Sequence, residues 1–72
     1  MNLEKNTKIG ELTQKYPKVR NFLKSLSEEY KNLDNEELFE MIKDITTLEM
    51  IAIKGSFEFE DLKEKIENFI NG

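Results

Sequence analysis

Apolar residues recur along this chain at helical steps. Val19, Phe22, Leu23 and Leu26 are spaced by three, one and three residues, which lines one face of a helix. Leu38, Met41, Ile42 and Ile45 repeat those steps, and Phe59, Leu62, Ile66, Phe69 and Ile70 share a face further on. Each set predicts an amphipathic helix burying that stripe. A shorter helix over about 8–15 buries Ile9 and Leu12.

The breaks between these elements follow from caps. Thr7 is placed to cap the first helix, and Tyr16 ends it because a residue before proline is pushed out of the α region. Pro17 then fits the first turn of the second helix, where its missing N–H costs nothing. Ser27 caps a short turn through Tyr30 and Leu33. Asp34 with Glu37, and Thr46 with Glu49, have the spacing of capping boxes and open the next two helices. Gly55 stops the second of these, which runs from Thr47 to Lys54. The last helix spans about Phe59 to Asn71, with Phe57 stapled onto Leu62 and Glu58 at the cap, where Glu is not favoured.

Two stretches also fit strands. Met50-Ile51-Ala52-Ile53 is apolar on all sides, and Phe57-Glu58-Phe59-Glu60 alternates with period two. Two isolated short strands would be marginal, so the preferred reading is a central buried helix followed by a turn. The expectation is an all-α fold, a compact irregular array of about five short helices forming a single domain over residues 1–72.

Composition narrows how such a domain holds together. A core of 72 residues seldom supplies more than roughly 3–5 kcal/mol of net stability, and small domains usually add a disulfide, a metal or a second subunit. The chain has no Cys and no His, so disulfide, thiolate and imidazole sites are excluded. Helix packing must suffice, with a homodimer as the second route. The longest apolar run is Met50–Ile53, so no membrane span is expected, and no signal-peptide core follows Met1; the cytoplasm is the expected location.

The missing side chains also exclude chemistry. Ser-His-Asp and Cys-His catalysis need a base that is absent, and the glycines are too far apart for a phosphate loop. The Asp34-Asn35-Glu36-Glu37 run lacks the glycine and spacing of a calcium loop. No enzyme, no cofactor and no catalytic or metal-ligating residue is expected. Glu36, Glu40 and Asp44 stack on one helix face, either as a patch for a basic partner or hard cation, or as a solvated face opposite the apolar stripe. The solvated face is preferred.

Charge is uneven. Residues 1–33 carry seven Lys/Arg against four Asp/Glu, and residues 34–72 carry four against eleven. Thr46 to Ile70 has the outline of a helix-turn-helix, but its second helix carries five acids against two lysines over 58–67 and phosphates would repel it. Lys15, Lys18, Arg20, Lys24 and Lys31 read as the wet face of the second helix and the turn after it. Tyr16, Tyr30 and Phe39 are the candidate partner contacts: Phe39 lies off its helix stripe and the tyrosines flank short turns. A core of this size also needs every aromatic it has, so the core reading is preferred for them.

Four segments resemble a known family. Thr7-Lys8-Ile9-Gly10-Glu11-Leu12 followed by Lys15-Tyr16-Pro17 is similar to the start of a small bacterial domain of unknown function. The cysteine-bearing branch of that family is the hybrid-cluster-protein-associated redox disulfide domain. Phe22-Leu23-Lys24-Ser25-Leu26-Ser27, Thr47-Leu48-Glu49-Met50-Ile51-Ala52 and Phe59-Glu60-Asp61-Leu62-Lys63-Glu64-Lys65-Ile66 resemble its longer, cysteine-free branch. That branch occurs alone or ahead of sensory and hemerythrin-like iron-binding modules. Where the redox branch places cysteines, this chain has Ser27-Glu28-Glu29, so disulfide chemistry does not carry over. Where the longer branch often has Asn-Pro and a basic residue, Asp34-Asn35-Glu36-Glu37 reverses the charge. The resemblance implies short packed helices in a bacterial cytosolic protein and brings no activity.

The expected function is therefore a non-catalytic interaction or accessory module, docking on another protein associated with iron or redox chemistry. A small-molecule or metal-sensing domain is the alternative. Nucleic-acid binding through the basic N-terminal half is weaker still.

Overall fold

The computed structural model describes residues 2–72. In order, the elements are α1 (Ile9–Lys15), α2 (Lys18–Leu26), a 3-10 helix (Glu28–Asp34), α3 (Glu36–Ile42), α4 (Leu48–Lys54) and α5 (Phe59–Asn71). Among the described residues there is no extended sheet, only an isolated antiparallel bridge between Lys8 and Thr47. The all-α expectation holds, and Met50–Ile53 is helical. A radius of gyration of 10.9 Å matches the roughly 11 Å of a fully packed domain of this length.

α2 is the hub, packing on α1, the 3-10 helix and α5. Its Val19 and Leu23 are fully buried, with Phe22 and Leu26 half-buried beside them. Ile9, Leu12, Leu48, Ile51, Leu62 and Ile66 complete the centre. Leu3, outside every predicted helix, is also buried.

Several caps shift from their expected positions. Thr7 does not cap α1. Its hydroxyl accepts from the Glu4 amide, and its carbonyl accepts from the Leu48 amide at 2.9 Å, tying the N-terminal segment to α4. Asn35, not Asp34, caps α3 by accepting from the Leu38 amide at 3.1 Å, while Asp34 pairs with Lys24. Thr47, not Thr46, caps α4 by accepting from the Met50 amide at 3.2 Å. Ser27 caps the 3-10 helix as expected.

α4 ends in a Schellman motif. The Phe57 amide donates to the Ala52 carbonyl at 2.8 Å and the Ser56 amide to the Ile53 carbonyl at 3.1 Å. The left-handed position in it is Ser56, with φ 63°, whereas Gly55 has φ −90°. Gly55 is needed for space instead: a Cβ there would lie 2.5 Å from Tyr30 Cζ.

The largest departure concerns α3. The stripe Leu38, Met41, Ile42 and Ile45 was expected in the core, yet Phe39 is the buried residue of this helix. The cause is tertiary. The Lys43 carbonyl accepts from the Gly10 amide at 2.9 Å and the Thr46 carbonyl from the Ile9 amide at 2.8 Å, which pins the end of α3 onto α1. In that orientation Phe39 points inward under the Arg20 guanidinium, 4.0 Å above its ring. Met41 and Ile45 are turned to water.

Candidate functional site

The three aromatic residues named as candidate partner contacts are not gathered on one surface, and the preferred core reading fits them. Tyr30 and Phe39 are buried, and Tyr16 is half-buried against the core. Each lines a different groove. The Tyr30 hydroxyl donates to the Ile51 carbonyl at 2.5 Å, its ring lies beside Phe57, and burial pushes its pKa up to about 12 against a smaller opposing pull from the Gly55 backbone.

The carboxylate series Glu36, Glu40 and Asp44 does not converge either. Glu36 meets Arg20 at 2.9 Å and Glu40 meets Lys43 at 2.7 Å; the Glu40 hydrogen bond holds the Lys43 ammonium above its usual pKa. Asp44 lies beyond the end of α3. Among the described residues no three such side chains converge as metal ligands do.

Nor is the N-terminal basic set uniformly free. Arg20 donates from Nε to the Leu33 carbonyl at 2.6 Å, pairs with Glu36 and covers Phe39, so it joins α2, the 3-10 helix and α3. Lys24 pairs with Asp34. The wet-face reading thus fails at Arg20, whose stem and head are structural.

What the fold exposes is apolar. Met41 is 73% accessible, Ile45 65%, Met50 51% and Ile53 72%. Single exposed apolar residues are ordinary; a contiguous set is not. Met41 and Ile45 lie one turn apart along α3 and the link after it, and Met50 and Ile53 one turn apart on α4. Of these four, Met50 lines a groove of about 310 Å³ between α3 and α4, together with Leu33, Leu38, Ile42, Ile51, Glu29 and Lys54. Fully burying one such side chain contributes about 1.5–3 kcal/mol. Four left in water is a large unused contribution in so small a domain. One sequence signal pointed this way: the run Met50–Ile53, apolar on all sides of a helix, can bury only one side in a single layer.

A second groove, of about 620 Å³, is polar and lies between α1 and α3, lined by Lys8, Glu11, Gln14, Arg20, Lys43 and Asp44. The Nη2 of Arg20 is buried without a partner among the described residues. No helix among them is long and apolar enough to cross a membrane.

No curated protein and no solved structure matches this chain. A family described as a domain of unknown function, DUF1858, matches over residues 3–63, from buried Leu3 through the first turns of α5. That span takes in Thr7, Gly10, Pro17, the α3–α4 face and Gly55, and the chain belongs to this family.

Proposed function

We propose that the chain is a non-catalytic interaction module that docks on another protein through the apolar face of α3 and α4. The observation that supports this is the exposure of Met41, Ile45, Met50 and Ile53 on α3, the link after it and α4, with Met50 lining the apolar groove between the helices. The absence of Cys and His from the chain agrees with a role outside catalysis. Its resemblance to the cysteine-free relatives of the redox disulfide domain makes a bacterial cytoplasmic iron or redox protein the first partner to try.

The test compares the wild-type chain with an Ile45→Glu, Ile53→Glu double variant. Both positions are exposed, so thermal unfolding should shift little. In affinity capture from a bacterial lysate at two salt concentrations, the wild type should retain a stoichiometric partner that the variant loses. Identical retention by both, or retention by neither, would remove this face as the docking surface.

A second reading, a sensing domain, draws on the polar groove and the unpartnered Arg20 Nη2. Thermal melts against nucleotides, haem and divalent metals test it. A ligand at 100 times its Kd adds about 2.7 kcal/mol, and no shift with any of them ends that reading.

A further inference from the structure

Resting on the docking reading above, we infer that Met41 and Met50 are reversible oxidation sites, and that sulfoxide at both turns the apolar surface of α3 and α4 off. The chain holds three methionines, no cysteine, no histidine and no tryptophan. Met1 lies outside the described residues. The other two stand where an oxidant in solution reaches them. Met41 is 73% accessible and Met50 51%, one on each helix. Each has an exposed isoleucine about one turn further on, Ile45 and Ile53. Methionine ordinarily fills gaps in a core. Among the described residues this core contains none; its buried hydrophobics are Leu, Ile, Val, Ala, Tyr and Phe. The fold therefore survives the conversion of both sulfurs.

The oxidant is a hydroperoxide, and no thiol in the chain competes for it. A sulfur lone pair takes the outer oxygen of hydrogen peroxide. The S–O bond forms as the O–O bond breaks, and sulfur loses two electrons. The departing hydroxide takes the proton of the transferred oxygen and leaves as water. The return step needs a dithiol from a methionine sulfoxide reductase: the sulfoxide oxygen leaves as water while two thiols become a disulfide.

The product is polar where the thioether was apolar. Met50 lines the groove between the helices with Leu38, Ile42 and Ile51, so its sulfoxide oxygen sets a strong acceptor into an apolar wall. A partner covering that wall would bury the new dipole at a cost. Met41 makes the same change on the exposed side of α3, one turn from Ile45. Of the four exposed apolar side chains, Ile45 and Ile53 alone then keep their character.

The test exposes the wild-type chain and a Met41→Leu, Met50→Leu variant to hydrogen peroxide. Leucine keeps the apolar character and does not oxidise, and Met1 is common to both chains. Peptide mass spectrometry should show a gain of about 16 Da at Met41 and at Met50. Each should react within about tenfold of the rate of a free methionine peptide, Met41 ahead of Met50. Circular dichroism melts should shift by less than about 4 °C on oxidation. On a phenyl matrix at high salt, oxidation should shorten the retention of the wild type and leave that of the variant unchanged. A methionine sulfoxide reductase with dithiothreitol should restore both mass and retention.

Slower oxidation at both sites, unfolding on oxidation, or equal loss of retention by both chains would overturn the inference. So would unchanged retention of the oxidised wild type. Capture from a bacterial lysate separates these failures from that of the docking reading. If the reduced chain holds a partner that Ile45→Glu with Ile53→Glu loses, and the oxidised chain holds it equally, docking stands and the switch falls. If the reduced chain holds nothing, the docking reading falls, and retention on the phenyl matrix alone upholds or overturns the methionine switch.

Discussion

Tyr30 and Gly55 form one packing unit. The phenol is 2% accessible, and its hydroxyl reaches the Ile51 carbonyl over the space that the Gly55 side chain would fill. Tyr30→Phe leaves that buried carbonyl with one partner fewer and should cost about 1–2 kcal/mol in urea unfolding at neutral pH. The pH dependence follows from the raised pKa. The ordinary value of 10.0 belongs to the unfolded chain and about 12 to the folded one, so the folded state holds the proton more tightly. The associated stability is fully present below pH 10.0 and is lost as pH rises towards 12. Wild-type stability should therefore fall more steeply than that of Tyr30→Phe across this window. Parallel curves would contradict the assignment.

The two residues after α4 should respond in opposite directions. Gly55→Ala drives a methyl into the Tyr30 ring and should destabilise by about 1–3 kcal/mol. Ser56→Gly relieves a left-handed L-residue and should stabilise by about 0.5–1 kcal/mol. The sequence pattern Lys54-Gly55-Ser56 reads as a glycine stop; the helix does end at Lys54, but its left-handed residue is Ser56, and the glycine serves packing.

Among the elements, α3 and α4 differ most from their patterns. Both helix starts have two neighbouring residues able to cap. Thr47→Ala should cost about 1 kcal/mol, because it removes the acceptor of the Met50 amide, whereas Thr46→Ala should change stability by less than about 0.5 kcal/mol. Equal losses would mean that the cap is shared. α3 carries four apolar residues, Leu38, Phe39, Met41 and Ile42, more than one face of a two-turn helix can bury. Phe39→Ala should cost about 3–5 kcal/mol and Met41→Ala almost nothing in the isolated chain. The reverse order would restore the stripe to the core and remove the exposed face.

For the molecule as a whole, closure depends on the segment from Leu3 to Lys8. Leu3 is buried, the Thr7 carbonyl holds the start of α4, and Lys8 bridges to Thr47 across nearly forty residues of chain. Leu3→Ala should cost about 2–5 kcal/mol. Against a net stability of only a few kcal/mol, even the lower end should depress Tm by roughly 8–16 °C. A melt shifted by only a degree or two would show that the segment is dispensable.

Local rules of the backbone determined much of this protein. Pro17 and Ser27 set their breaks, Val19 and Leu23 formed the buried side of α2, and Leu62 and Ile66 that of α5, with Phe59 to Asn71 as predicted. The absence of Cys and His excluded whole reaction classes without any coordinates. Tertiary structure alone decided which side of α3 faces in, because the Gly10–Lys43 and Ile9–Thr46 hydrogen bonds orient that helix from outside it. It also made Arg20 a tether and Leu3 a core residue, neither of which carries a periodic signal. Periodicity shows that a stripe wants burial; only the packed chain shows whether its own residues supply it. For Met41, Ile45, Met50 and Ile53 they do not.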